Sequence, residues 1–173
     1  MSEFFLRRAS IEDSSLLSEI SETTFREAYS DQCGGDDMDI FVRQAFSSST
    51  IEGELQKEEM RYFILECELK TAGYVFIKFN SSPENISVIT PSLEIKRFYL
   101  RKEFYGSGGS QFMMQKIFSL AEENGMKSCW LTVWDLNPRA VRFYEKCGFK
   151  IAGTMLFKMG NRIDEDWVMV RNL

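Results

Sequence analysis

The stretch Ser128–Trp134, SCWLTVW, is almost wholly apolar and sits between two segments with a helical period. A strand that is apolar on both faces must be covered on both, so it belongs at the centre of a sheet with elements above and below. The flanking segments supply that cover. Phe112, Met113, Ile117, Leu120 and Ala121 recur at helical spacing, and Gly125 stands where a C-terminal cap belongs. Residues 137–147 follow with Pro138 in the first turn and Gly148 just past the end. These three segments confine the chain to α/β architectures.

The other segments fit that frame. Residues 3–8 read as a short strand, and Ser10 with Asp13 reads as a capped helix start. Leu16, Leu17, Ile20, Thr24 and Phe25 carry the helical face. An acidic, glycine-containing loop spans 31–37, a second helix Met38–Phe46, and a third 51–59. Arg61–Cys67 and Ala72–Phe79 are rich in β-branched and aromatic residues and read as a hairpin; Ser92–Leu100 is a further strand. Two last strands, about 149–159 and 162–171, flank the turn signal Gly160-Asn161. No repeat or linker interrupts the order, so residues 1–173 read as a single domain.

Composition narrows the chemistry. The chain has 173 residues and a formal net charge of −5, so it lacks the basic face that nucleic acid requires. It has no histidine, which removes histidine-based triads and histidine metal sites. Its four cysteines form no CxxC pair, so no metal centre is expected. No apolar run reaches the roughly 18 residues of a membrane span, and the N-terminal stretch lacks a signal-peptide core; a cytoplasmic protein with reduced thiols is expected.

Between the strand 92–100 and the helix that follows lies Phe104-Tyr-Gly-Ser-Gly-Gly-Ser-Gln111. A strand, a glycine turn and a helix make an anion site, because the first helical amides have no internal partners and the helix dipole adds positive character. Ser107 and Ser110 can add hydroxyl donors. No lysine follows Gly109, so this is not a P-loop, and Gln111 stands where a dinucleotide fingerprint needs its third glycine. A plain loop is the competing reading.

A second signal follows: Asn137-Pro-Arg-Ala140, Phe143-Tyr144 and Gly148-Phe149. With the glycine turn and the element order, the whole chain resembles the GCN5-related N-acetyltransferase (GNAT) superfamily. Tyr105 stands where that superfamily has Gln or Arg, and Ser110 where it has Gly or Ala, while Gly108 keeps the central position. Ser92–Leu100, Trp134–Asn137, Thr23–Phe25 with its acidic loop, and Phe157–Gly160 further resemble the PaiA-type polyamine N-acetyltransferases.

The resemblance implies a mixed, mostly antiparallel central sheet of about seven strands, with a splayed cofactor-binding pair and about four flanking helices. It implies acetyl-CoA as cofactor, a primary amine acceptor such as spermidine or spermine, and direct attack on the thioester. Residues Tyr105, Gly106, Ser107, Gly108, Gly109, Ser110 and Gln111 would hold the pyrophosphate. Phe98, Tyr99 and Leu100 would pair with the pantetheine arm, and Asn137, Arg139 and Tyr144 would contact the cofactor. Tyr144 would be the general acid; its competing role is ring packing beside Phe143. Glu94 is the candidate base, against an ordinary strand carboxylate paired with Lys96 or Arg97, and Asp135 is a weaker one. Glu22, Glu27, Asp31, Asp36 and Asp37 would line a polyamine path, or form a solvated face. Phe25 and Trp134 would wall the groove or belong to the core. Met155, Phe157 and Met159 could serve a homodimer contact or pack in the core. The alternatives are the same chemistry on a protein N-terminus or another small amine, and an acetyl-CoA-binding regulator without turnover.

Overall fold

A computed structural model describes residues 3–29, 31 and 35–173. Seven strands form one sheet in the order β1-β2-β3-β4-β5-β7-β6, where β1 is Phe4–Arg8, β2 Met60–Cys67, β3 Lys70–Phe79, β4 Ser92–Leu100, β5 Ser128–Trp134, β6 Lys150–Met159 and β7 Arg162–Asn172. Only β4 and β5 pair in parallel; every other neighbour is antiparallel. The helices are α1 (Ser14–Tyr29), α2 (Asp36–Ala45), α3 (Ser48–Leu55), α4 (Gly109–Glu123) and α5 (Pro138–Lys146). That is five helices, matching the separate segments read at 38–46 and 51–59, where the resemblance implies about four. Ser47 separates them: its Oγ accepts from the Thr50 amide at 3.2 Å and starts α3 earlier than the apolar pattern alone suggests. The capped start at Ser10 forms a single turn of 3₁₀ helix before α1, with the Ser10 amide donating to Asp13 at 2.8 Å.

Both faces of the sheet are covered. Leu93, Ile95, Leu131, Val133 and Met169 pack on one face against Met113, Ile117 and Ala121 of α4 and Val141 and Tyr144 of α5. On the other face Leu17 and Ile20 of α1 and Ile51 of α3 meet Tyr62, Ile64, Tyr74 and Phe76. Phe25, Met38, Val42 and Phe46 continue that layer over Trp134 and Met159. Met159 and Phe157 thus pack against this layer, as core packing requires. Fully burying such a side chain contributes roughly 1.5–3 kcal/mol, so the two apolar layers hold the sheet from both sides.

No described helix is long and apolar enough to cross a membrane. Cys33 and part of the acidic 31–37 loop lie outside the described residues.

Candidate functional site: a slot through the sheet

The parallel pair β4/β5 is joined only at its start. Ser92, Leu93 and Glu94 pair with Ser128, Cys129 and Trp130; beyond that register the strands diverge. From Ile95 to Leu100 the β5-facing edge of β4 has no strand beside it among the described residues, although the other edge remains paired with β3 as far as Leu100. One residue reshapes β4 where the fork opens. Ile95 pairs with Ile77 and Arg97 with Phe76, which leaves Lys96 as an extra residue. Such a bulge bends a strand and reverses its alternation. Accordingly Leu93, Ile95, Phe98 and Leu100 belong to the α4/α5 layer, while Tyr99 joins the α1 layer.

The fork encloses a cavity of about 410 Å³ lined from both faces of the sheet. On the α4/α5 side it is walled by Phe98, Leu100, Tyr105, Gly106, Gly108, Ser110, Gln111, Asn137, Arg139, Phe143 and Tyr144. On the α1/α2 side it is walled by Phe25, Tyr29, Tyr99, Trp134, Phe157, Met159, Asp164 and Asp166. The slot therefore perforates the sheet and presents two chemically different mouths.

The first mouth suits an anion. Gly106 has φ +77° and Gly108, the N-cap of α4, has φ +91°. Neither position would bring an added Cβ within 4 Å of another group, so the space above the turn is open. Ser107 Oγ donates to the Phe104 carbonyl at 2.6 Å and accepts from the Gly109 amide at 3.3 Å, which fixes the turn from within. Ser107 and Gly109 therefore shape the cradle. The amides of Gly106, Gly108, Ser110 and Gln111 have no backbone partner among the described residues. Arg139 enters from the start of α5, its guanidinium carbon 3.6 Å from the centre of the Tyr105 ring. Asn137 caps α5, its Oδ1 accepting from the Ala140 amide at 3.1 Å.

Tyr144 is 8% exposed, with Phe98, Phe143 and Phe149 packed around its ring. Burial, and to a lesser degree the neighbouring Tyr29 hydroxyl, push its phenol well above the ordinary range, so it keeps its proton at neutral pH. Tyr99 donates to the Tyr29 hydroxyl at 3.4 Å.

The second mouth carries carboxylates. Asp164 and Asp166 lie two apart on β7, on one face of the strand. Asp164 is bound to Arg162 at 2.7 Å. Asp166 pairs in register with Trp134 of β5 and is 7% exposed, and its Oδ1 has no hydrogen-bond partner among the described residues. Burial, and then the nearby Asp164 and Asp135, raise its carboxyl to about 6. Sequence reasoning passed over Asp166. Its signal was an aspartate on the same strand face as buried Val168.

Glu94 lies below the fork, at the register where β4 and β5 are still paired, and is not part of the slot wall. Its carboxylate is occupied by Ser81 at 2.8 Å and Lys96 at 3.2 Å. Asp135 also lies outside the wall. Of the expected polyamine path, Glu22 pairs with Arg26 at 2.9 Å, Glu27 accepts from the Lys102 amide at 2.8 Å, and Asp37 accepts from the Asn161 amide at 2.7 Å. Glu22, Glu27, Asp31, Asp36 and Asp37 all lie outside the slot wall. Phe25 and Trp134 are both buried and part of the wall, so each serves core and groove together. Among the described residues no group of His, Cys, Asp or Glu is placed to hold a metal ion.

An uncharacterized N-acetyltransferase of Mycobacterium tuberculosis is 41% identical over 81 residues, 47% of this chain and 52% of the relative. The chain thus matches about half the length of that relative. The spermidine N(1)-acetyltransferase of Thermoplasma acidophilum is 22% identical over 86% of this chain and 89% of its own. The crystal structure of a PaiA N-acetyltransferase from Thermoplasma acidophilum in complex with coenzyme A superposes with a TM-score of 0.79 over 99% of both chains, at 18% identity, and shows the shared fold. The family model for the acetyltransferase (GNAT) family matches residues 17–149, well over half of the sequence. The chain belongs to the acetyltransferase (GNAT) family.

Proposed function

We propose that this protein transfers the acetyl group of acetyl-CoA to a primary amine, with a polyamine such as spermidine or spermine as the acceptor. The observation that carries the reading is the fork between β4 and β5, which joins an anion cradle on one face of the sheet to a carboxylate-lined mouth on the other. The cradle fits a pyrophosphate: four unpartnered amides, open space above two positive-φ glycines, and an arginine with no carboxylate beside it among the described residues. The free edge of β4 from Lys96 to Leu100, with Phe98, Tyr99 and Leu100 at its end, fits the amide-bearing pantetheine arm, which would take the place of the missing strand.

Acetyl-CoA supplies the acyl group as a thioester. An amide on the β4 edge stabilises the charge that develops on the thioester oxygen. Tyr144, protonated and buried, gives its proton to the departing sulfur. Asn137 and Arg139 hold the start of α5 against the cradle, so Tyr144 further along that helix keeps its position. The polyamine assignment draws on the spermidine-acetylating relative and on the two carboxylates at the second mouth.

The test is release of free CoA from acetyl-CoA against spermidine, spermine, putrescine, short peptides and an aminoglycoside. Turnover confined to polyamines is the expected result. Turnover confined to another amine keeps the transferase and discards the polyamine. Silence across the panel with measurable acetyl-CoA binding favours a regulator without turnover.

A further inference from the structure

Once its ion pairs are counted, the slot wall keeps one cation and one carboxylate unpaired among the described residues, on opposite sides of the sheet. Three cations belong to its wall: Lys96, Arg97 and Arg139. Lys96 pairs with Glu94 at 3.2 Å, and Arg97 is buried beside Glu54, also at 3.2 Å. Of the three, Arg139 has no carboxylate partner among the described residues, and it stands on the cradle side. Two carboxylates belong to the wall. Asp164 is neutralised by Arg162 at 2.7 Å. Among the described residues Asp166 has no cation within ion-pair distance and its buried Oδ1 accepts no hydrogen bond. A nine-tenths buried carboxylate with an empty acceptor atom costs free energy unless something fills it.

Building on the acetyltransferase reading, we infer that Asp166 is the anion that receives the acceptor's ammonium group and takes its proton. It stands at the Trp134 register, where β5 borders the open fork, on the face opposite the phosphate cradle. An ammonium there meets a carboxylate in a wall shared with the rings of Phe157 and Tyr29, which also favour a cation. The neighbouring charged and titratable groups are Asp164 and Arg162 on the same strand, with Arg162 paired to Asp164 and its guanidinium carbon 5.6 Å from the centre of the Trp134 ring, Asp135 beyond β5, Lys96 and Arg97 on β4, and Tyr29 on α1; Met155 faces it from β6.

The step balances. The ammonium passes one proton to the Asp166 carboxylate and becomes a neutral amine. Its lone pair forms the N–C bond to the thioester carbon, and the C–S bond breaks. The sulfur takes the Tyr144 proton, and the phenol recovers one from the new amide nitrogen. Asp166 then releases its proton to solvent. A carboxyl whose affinity for protons is raised toward neutrality suits such a transfer.

The experiment measures kcat/KM for the best amine of the panel from pH 6 to 9.5, in the wild-type protein and in Asp166→Asn, with CoA affinity by calorimetry as the check on folding. The expected loss near neutral pH is about 10²-fold, the size usual for a removed acid–base group. It should shrink as pH approaches the amine's own pKa, where neutral amine arrives unaided. Asp166→Glu should recover part of the rate. A loss equal at every pH, or no loss, in a variant that binds CoA normally overturns the inference and leaves the transferase reading standing. If the wild type turns over no amine, the transferase reading fails. Calorimetric binding of spermidine to the CoA-loaded protein then decides, being abolished by Asp166→Asn if Asp166 receives the cation and unchanged if it does not.

Discussion

The guanidinium of Arg139 stacks on the ring of Tyr105, 3.6 Å from its centre. Tyr105 occupies the position where related glycine turns carry a Gln or Arg side chain. Here the ring seats a cation delivered from α5, so the charge reaches the cradle by another route. A stacked, carboxylate-free Arg keeps its donors for phosphate. Arg139→Ala should weaken CoA binding by about 1.5–3 kcal/mol, the range of a hydrogen bond to a charged group. Tyr105→Ala should lose about 1 kcal/mol, and the double variant less than the sum, because both remove one device. A calorimetric double-mutant cycle checks this; strict additivity would separate the two residues.

The glycine turn makes its own prediction. Gly108 has φ +91°, and an added Cβ there would meet nothing within 4 Å. Gly108→Val therefore clashes with no protein atom but strains the backbone, by about 1–2 kcal/mol, and puts bulk where a phosphate would sit. CoA affinity should fall at least tenfold, while thermal unfolding shows a loss of only that order. Unaltered CoA binding in the folded variant would remove the cradle.

Tyr144→Phe removes a hydroxyl and leaves the ring against Phe98, Phe143 and Phe149. Turnover should fall by roughly 10²-fold with CoA affinity nearly intact. An unchanged rate in steady-state assays would rule out the phenol as the acid.

Much of the frame was legible because it rests on local chemistry. The apolar β5, the glycine turn before α4 and the Asn137-Pro138 start of α5 each encode their element within a few residues. The base proposed above was not legible, for a reason visible in β4. Glu94 looked well placed because it points away from Leu93 and Ile95. Whether it reaches the slot depends on where the fork opens, and that depends on pairing with a strand 34 residues later in the chain, at Ser128. The extra residue at Lys96 likewise follows from the register with β3 and leaves no trace in local pattern. Asp166 was hidden by the opposite problem. Its neighbours Asp164 and Glu165 make it look like one more surface charge, and only the sheet order, which sets β7 beside β5, brings it to the slot.

Gly73 shows how closely the fork is built. An added Cβ would fall 2.4 Å from the Tyr99 carbonyl oxygen and 3.1 Å from the Leu100 Cα, both backbone atoms of the free-edged strand. Backbone cannot step aside as a side-chain tip can. Gly73→Ala should cost about 1–3 kcal/mol in urea unfolding, the usual range for overpacking, and should also weaken CoA binding by shifting β4. Loss of stability with CoA affinity unchanged would show that the β4 edge does not carry the ligand.

Asp166 also links function to stability. Its carboxyl is raised from 3.8 to about 6 in the folded protein, by burial first and then by Asp164 and Asp135. The folded state therefore holds a proton that the unfolded chain has already lost between about pH 4 and pH 6. Stability contributed by this site is greatest below pH 4 and declines as pH rises through 6, because the folded state then carries a poorly solvated charge. Asp166→Asn removes that charge. It should stabilise the protein at pH 7.5 by about 1 kcal/mol, less than the full shift implies because the slot admits water. Near pH 4 the two proteins should unfold at nearly the same urea concentration. Equal midpoints at both pH values would mean that Asp166 is comfortably solvated, and that its empty Oδ1 is no reservoir for binding a cation.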